Sequence, residues 1–249
     1  MGVIVAGAAA FSAFEAHVIN VTSRIENALK VSTYEMDFGT VFPQEQATST
    51  FAVALSESFQ DEDRVDDVEY EIRQKPKCVL VSQNSADLPQ FGRVTEDEAG
   101  NFVCEDEEHY EIMPLLCPYL SKHELTADGT ETENDTGIDA FHGLPGVWNM
   151  ATVLANRAFG RLAKSVEDIT DIWAIDLKVP CFAGYCAQDW EEYVLGINPT
   201  ADPDAYIQPK ENEHKQFGCD LWLAVNGISF PGGGLCNEEA DVMLVLDRS

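Results

Sequence analysis

From Val68 the chain reads Val68-Glu69-Tyr70-Glu71-Ile72-Arg73, apolar and charged by turns. Such a period of two fits an extended strand with one face buried and the other in water. Thr50-Phe-Ala-Val-Ala-Leu-Ser56 repeats it, as does Tyr34-Glu-Met-Asp-Phe38 before a turn near Gly39 and Pro43. Trp173 to Val179 and Cys219 to Ile228 each carry one apolar face. His17 to Val31 places Val18, Ile19, Val21, Ile25 and Leu29 among Asn, Thr and Ser, and reads as one or two further strands. Strands of this kind at these spacings predict a mainly β fold, an antiparallel β-sandwich.

The sandwich is expected over residues 15–230, with a short helical insertion. Residues 84–140 read as a polar, acidic, turn-rich insertion with Cys104 and Cys117 as staples. Trp148 to Ala163 is the best helix candidate, since Met150, Leu154, Phe159 and Leu162 recur at roughly helical spacing. A second short helix is expected over Ala187 to Leu195, where Asp189, Glu191 and Glu192 favour the N-terminal end. Gly137-Ile-Asp-Ala-Phe-His142 near Trp148 reads as loop packing rather than a pocket. Pro231-Gly-Gly-Gly234 opens a linker over 231–239.

The chain holds seven cysteines, Cys78, Cys104, Cys117, Cys181, Cys186, Cys219 and Cys236. The close pair Cys181–Cys186 has four intervening residues, and no second pair or His pair follows at zinc-finger spacing. Disulfides in an oxidising compartment are the expected use. Cys181–Cys186 and Cys104–Cys117 are near enough in sequence for local bridges, and Cys236 is left over. Residues 1–14, small and apolar with no Lys or Arg, fit the remnant of a secretory signal peptide, the rival reading being a buried N-terminal strand or helix. That predicts Sec-type export to the cell surface or beyond. Asn20-Val-Thr22 and Asn134-Asp-Thr136 are glycosylation sequons.

Charge excludes one class of partner. Lys and Arg total 15 against 44 Asp and Glu, a formal charge of -29, and such a surface repels phosphate backbones, so no nucleic acid is expected. The histidines His17, His109, His123, His142 and His214 form no His-Glu-x-x-His, and carboxylate pairs such as Asp61–Asp63 and Asp66–Asp67 are expected by chance in so acidic a chain. The expectation is therefore a protein that is not an enzyme, with a metallopeptidase as the minor alternative.

Two stretches resemble known families. Asp241-Val-Met-Leu-Val-Leu-Asp-Arg-Ser249 resembles the first strand of a von Willebrand factor A (VWFA) domain, whose metal site begins Asp-x-Ser-x-Ser. Asp247 and Ser249 match the first two of those positions, and residues 240–249 are then the start of a truncated VWFA domain. The resemblance implies that Asp247 and Ser249 help hold Mg²⁺ or another divalent cation, completed by a carboxylate of a protein ligand. Phe11-Ser12 and Asp37-Phe-Gly-Thr-Val-Phe-Pro-Gln-Glu45 resemble the opening of the TasA/camelysin group of secreted β-sandwich proteins. That group implies a jelly-roll or immunoglobulin-like sandwich, export to the cell surface and often fibre assembly by strand donation, and some of its members are described as metallopeptidases. The leading expectation is a secreted or surface-displayed adhesion protein that binds a protein ligand or cell-surface component, with a self-associating fibre subunit as its alternative.

Overall fold

The computed structural model describes residues 25–81, 87–125, 137–143 and 148–230. In chain order, β1 (Leu29–Val31) and β2 (Gln46–Leu55) precede the short helix α1 (Glu57–Gln60), then β3 (Asp67–Lys75) and β4 (Cys78–Leu80). β5 (Phe91–Gly92), β6 (Val94–Glu96), β7 (Phe102–Cys104), β8 (Tyr110–Ile112) and β9 (Leu120–Glu124) follow. Then come α2 (Met150–Ala155), β10 (Ala158–Ala163), β11 (Thr170–Lys178), α3 (Trp190–Ile197) and β12 (Asp220–Ile228).

The strands form a four-stranded sheet in the order β1-β2-β11-β9 and a three-stranded sheet β10-β3-β12, with smaller sheets β5-β4-β8 and β6-β7. Every pairing is antiparallel. The expected β-sandwich is what forms. Alternation sets its core: Phe51, Val53, Leu55, Trp173, Ile175 and Leu177 from the larger sheet meet Val68, Tyr70, Ile72, Ala158 and Leu162 from the smaller. Each fully buried large side chain of this kind stabilises by roughly 1.5–3 kcal/mol.

The buried carboxylates inside and beneath the sheets each have a hydrogen-bonding partner on at least one oxygen. Asp171 occupies a core-facing position of β11, where the Tyr70 hydroxyl donates to its carboxylate and Trp173 Nε1 donates to the Tyr70 oxygen at 2.8 Å. On the other face of β3, the buried Glu71 carboxylate accepts from Arg73 and from Arg157 at 2.9 Å, and Asp67 accepts from Arg161 Nε at 2.7 Å.

Several expectations need correction. The helix expected over Trp148 to Ala163 divides into α2 and β10. Asn149 caps α2 by accepting from Thr152 N at 3.0 Å, the helix ends at Asn156, and β10 then pairs with β3 from Ala158↔Ile72 to Ala163↔Asp67. The inward residues of β10 begin Ala158, Gly160 and Leu162, and their small size hid the period of two. Gly160 lies flat against the Tyr70 ring, leaving no room for a methyl group. The strand expected at Tyr34 to Phe38 is absent. Thr33 Oγ1 donates to the Glu35 carbonyl at 2.8 Å, Asp37 accepts from Gly39 N at 2.8 Å, and Gly39 takes φ +68°, so local side-chain bonds displace the ladder.

The 84–140 insertion holds five short strands rather than only turns, and β9 joins the main sheet through β11. The second helix forms two to three residues later than expected, at Trp190–Ile197. The Gly137–His142 loop does pack: Phe141 is buried edge-on against Tyr206 at 5.1 Å and Trp190 at 5.9 Å. The Cys104–Cys117 bridge does not form. The disulfides are Cys78–Cys104, Cys117–Cys219 and Cys181–Cys186, the last as expected. Sheet packing, not nearness in sequence, decides: β4 and β8 place Cys78 against the β7 end, and the Cys117 turn lies under the start of β12. Closing the 102-residue separation of Cys117 and Cys219 removes denatured-state freedom equivalent to about 5 kcal/mol.

Candidate functional site

The two sheets do not close on each other. β12 pairs with β3 alone and is an edge strand. β1 covers β2 only from Val53 to Leu55, so the rest of β2 has β11 on one side and, among the described residues, no strand on the other. Between these edges lies an open groove reached by side chains of both sheets. Its walls are Leu29 and Val31 of β1, Phe51 of β2, Ile175 and Leu177 of β11, and Leu221, Leu223 and Val225 of β12.

Chemistry and burial disagree along this groove. Leu221, Leu223 and Val225 point inward with the core residues yet remain half-buried. Across the mouth runs the irregular segment from Ser32 to Glu45, which packs Met36, Phe38 and Val41 partly inward but leaves Tyr34 84% and Phe42 69% exposed. This segment is tied at its ends, by Ser32 N donating to the Ala52 carbonyl at 3.0 Å and by Gln44 N donating to that of Val179 at 3.0 Å. A strand edge beside unfilled apolar pockets is the geometry that takes up an extended chain by β-augmentation, with main-chain bonds for affinity and pockets for side-chain choice. The lip of β12 is held in place: Cys219 at its start is bridged to Cys117, and Lys75 Nζ sits 3.5 Å above the Trp222 ring.

A second polar feature lies beside this opening, since its Gln74 pairs across the ladder with Leu221. Lys122 of β9 is fully buried, and its Nζ donates to Gln74 Oε1 of β3 at 3.3 Å. The Gln74 Nε2 is 2.6 Å from His142 Nε2, and His142 Nδ1 is 2.8 Å from the Asp139 carbonyl oxygen. The carbonyl requires Nδ1 to donate, so Nε2 accepts from the Gln74 amide. Burial lowers Lys122 to about 7, and burial with the nearby Lys122 charge lowers His142 to about 3.

The residues singled out from sequence fall differently. Asp247 and Ser249, with the whole 240–249 stretch, lie outside the described residues, as do the 1–14 segment, the 231–239 linker, Cys236, His17 and both sequons. His109 pairs with Asp106 at 2.8 Å, His123 lies 3.8 Å from Asp139, and neither joins His142. Among the described residues no three His, Cys, Asp or Glu side chains gather closely enough to hold a metal ion. Asp66 accepts from Ser165 N at 2.9 Å and from Ser165 Oγ at 2.7 Å, while Glu62, lowered to about 2 by its hydrogen bonds from Arg64, braces the Asp61–Asp63 turn. The apolar face of β12 was visible in sequence, but its edge position was not. Lys122 and Gln74 were missed because Lys122 fell in a stretch read as a polar, turn-rich insertion, and His142 was named only for loop packing.

Compared with protein-family models, curated proteins and solved structures, the chain matches none.

Proposed function

We propose that this chain is a non-catalytic extracellular subunit whose open groove accepts an extended apolar strand from a second copy, so that copies join end to end. The observation that supports this reading is the half-buried inner face of β12 beside its own free edge. The three disulfides fit an oxidising compartment. The donor is the His17–Ser23 stretch, whose Val18, Ile19 and Val21 suit apolar pockets and which carries no acidic residue in a chain of net charge -29. An uncharged strand meets less repulsion from such a body than the acidic segments of a second copy do. Repulsion between the acidic bodies opposes assembly, so added salt promotes it. The adhesion reading rests on Asp241–Ser249 and makes no use of the groove, so it stands second.

The test is assembly of the full chain at rising salt, followed by light scattering and electron microscopy. Filaments are expected, lost on deleting residues 15–24 or in Leu223→Glu, with a synthetic 15–25 peptide capturing the deletion variant one to one. A chain that stays monomeric at high concentration and high salt, or a Leu223→Glu variant that assembles as well as the parent, overturns the reading.

A further inference from the structure

Sandwich strands seldom spend an inward position on a lysine. Lys122 does so without a counter-charge: its surface is 0% exposed, and among the described residues Gln74 Oε1 is the partner of its Nζ. Gln74 is 2% exposed, so the pair is sealed from water on both sides. The two residues belong to different sheets, β9 of one and β3 of the other, and are 48 residues apart in sequence. An isolated buried ammonium is among the most costly groups a core can hold, and the ordinary escape is to lose the proton. The amine so produced is a nucleophile held against a carboxamide, a juxtaposition with effective molarity on the order of 10⁵ M or more when aligned.

We infer that Lys122 and Gln74 form an intramolecular amide cross-link that joins the two sheets. The Nζ lone pair attacks Gln74 Cδ, and the carbonyl electrons move onto Oε1. His142 Nε2, the accepting nitrogen 2.6 Å from Gln74 Nε2, takes a proton from the attacking nitrogen and passes it to the departing one. The Oε1 electrons return, the Cδ–Nε2 bond breaks and ammonia leaves. One Nζ–Cδ bond replaces one Cδ–Nε2 bond, with nothing oxidised or reduced and no co-reactant. Exclusion of water protects the tetrahedral adduct from the competing hydrolysis that would turn Gln74 into glutamate. The cross-link is independent of strand acceptance in the groove.

The experiment is the intact mass of the denatured, reduced full chain, followed by peptide mapping. The expected mass falls short of the sequence by one ammonia, and a branched peptide unites the Gln74 and Lys122 segments. Lys122→Met and Gln74→Met each restore the missing mass, and His142→Phe accumulates uncoupled protein. Should a variant fail to fold, the peptide map of the unmutated protein decides alone. A full mass with separate Lys122 and Gln74 peptides overturns the inference, and so does an ammonia deficit mapped elsewhere, such as Asn226-Gly227.

Discussion

Trp173, Ile175 and Leu177 of β11 and Leu221, Leu223 and Val225 of β12 are the same kind of side chain at the same kind of inward position. The first three are no more than 2% exposed, and the second three are half-buried. Residue chemistry does not separate them; neighbours do. β11 has β2 on one side and β9 on the other, whereas β12 has β3 alone. One flank of the sandwich has therefore covered its apolar surface itself, and the other leaves part of that surface uncovered.

The comparison can be broken or sharpened by mutation. The largest effect is expected from removing the disulfide that holds the open flank, with Cys117→Ser and Cys219→Ser together. Urea unfolding should show a loss of up to about 5 kcal/mol, and β12 amides should lose exchange protection before those of β11. On the closed flank, Trp173→Ala should cost about 4 kcal/mol by the same assay, because it empties a filled site and removes the donor to Tyr70. Gly160→Ala should cost about 2 kcal/mol, since the added methyl meets the Tyr70 ring. Leu223→Ala should lower monomer stability by only about 1 kcal/mol yet sharply reduce assembly. Equal losses at Trp173 and Leu223 would erase the difference between the flanks.

The smallest effect is one of pH. His142 falls from 6.5 to about 3 on folding, so between those values the unfolded chain binds more protons than the folded one. The His142 contribution to stability is then full above about 6.5 and declines as pH falls toward 3. A stability profile of His142→Phe should be flatter over this window than that of the parent, and identical slopes would remove His142 from the account.

Strands whose inward residues are large were legible in sequence. Val68, Tyr70 and Ile72 announce β3, and Trp173, Ile175 and Leu177 announce β11, because a bulky side chain every second residue leaves few alternatives. β10 was not legible, since Ala158 and Gly160 are too small to mark a face and Met150, Leu154, Phe159 and Leu162 imitate a helix. The Cys117–Cys219 bridge joins residues that meet only after the sheets have packed. The candidate groove was half legible: its apolar residues were plain, but whether a face is closed depends on strand order. The Lys122–Gln74 pair lay hidden for the opposite reason, because a lysine beside His123 and Glu124 looks solvated until β9 is placed in the main sheet.

The Cys117–Cys219 bridge has a mechanical meaning. Tension on a strand docked along β12 is carried in shear by the row of hydrogen bonds to β3, which must all yield together, rather than peeled from one end. The start of β12 is riveted through Cys219 to the turn at Cys117, so the receiving edge cannot be stripped from that end. A filament built from such units should give way first where one copy grips the next, and only afterwards within a copy.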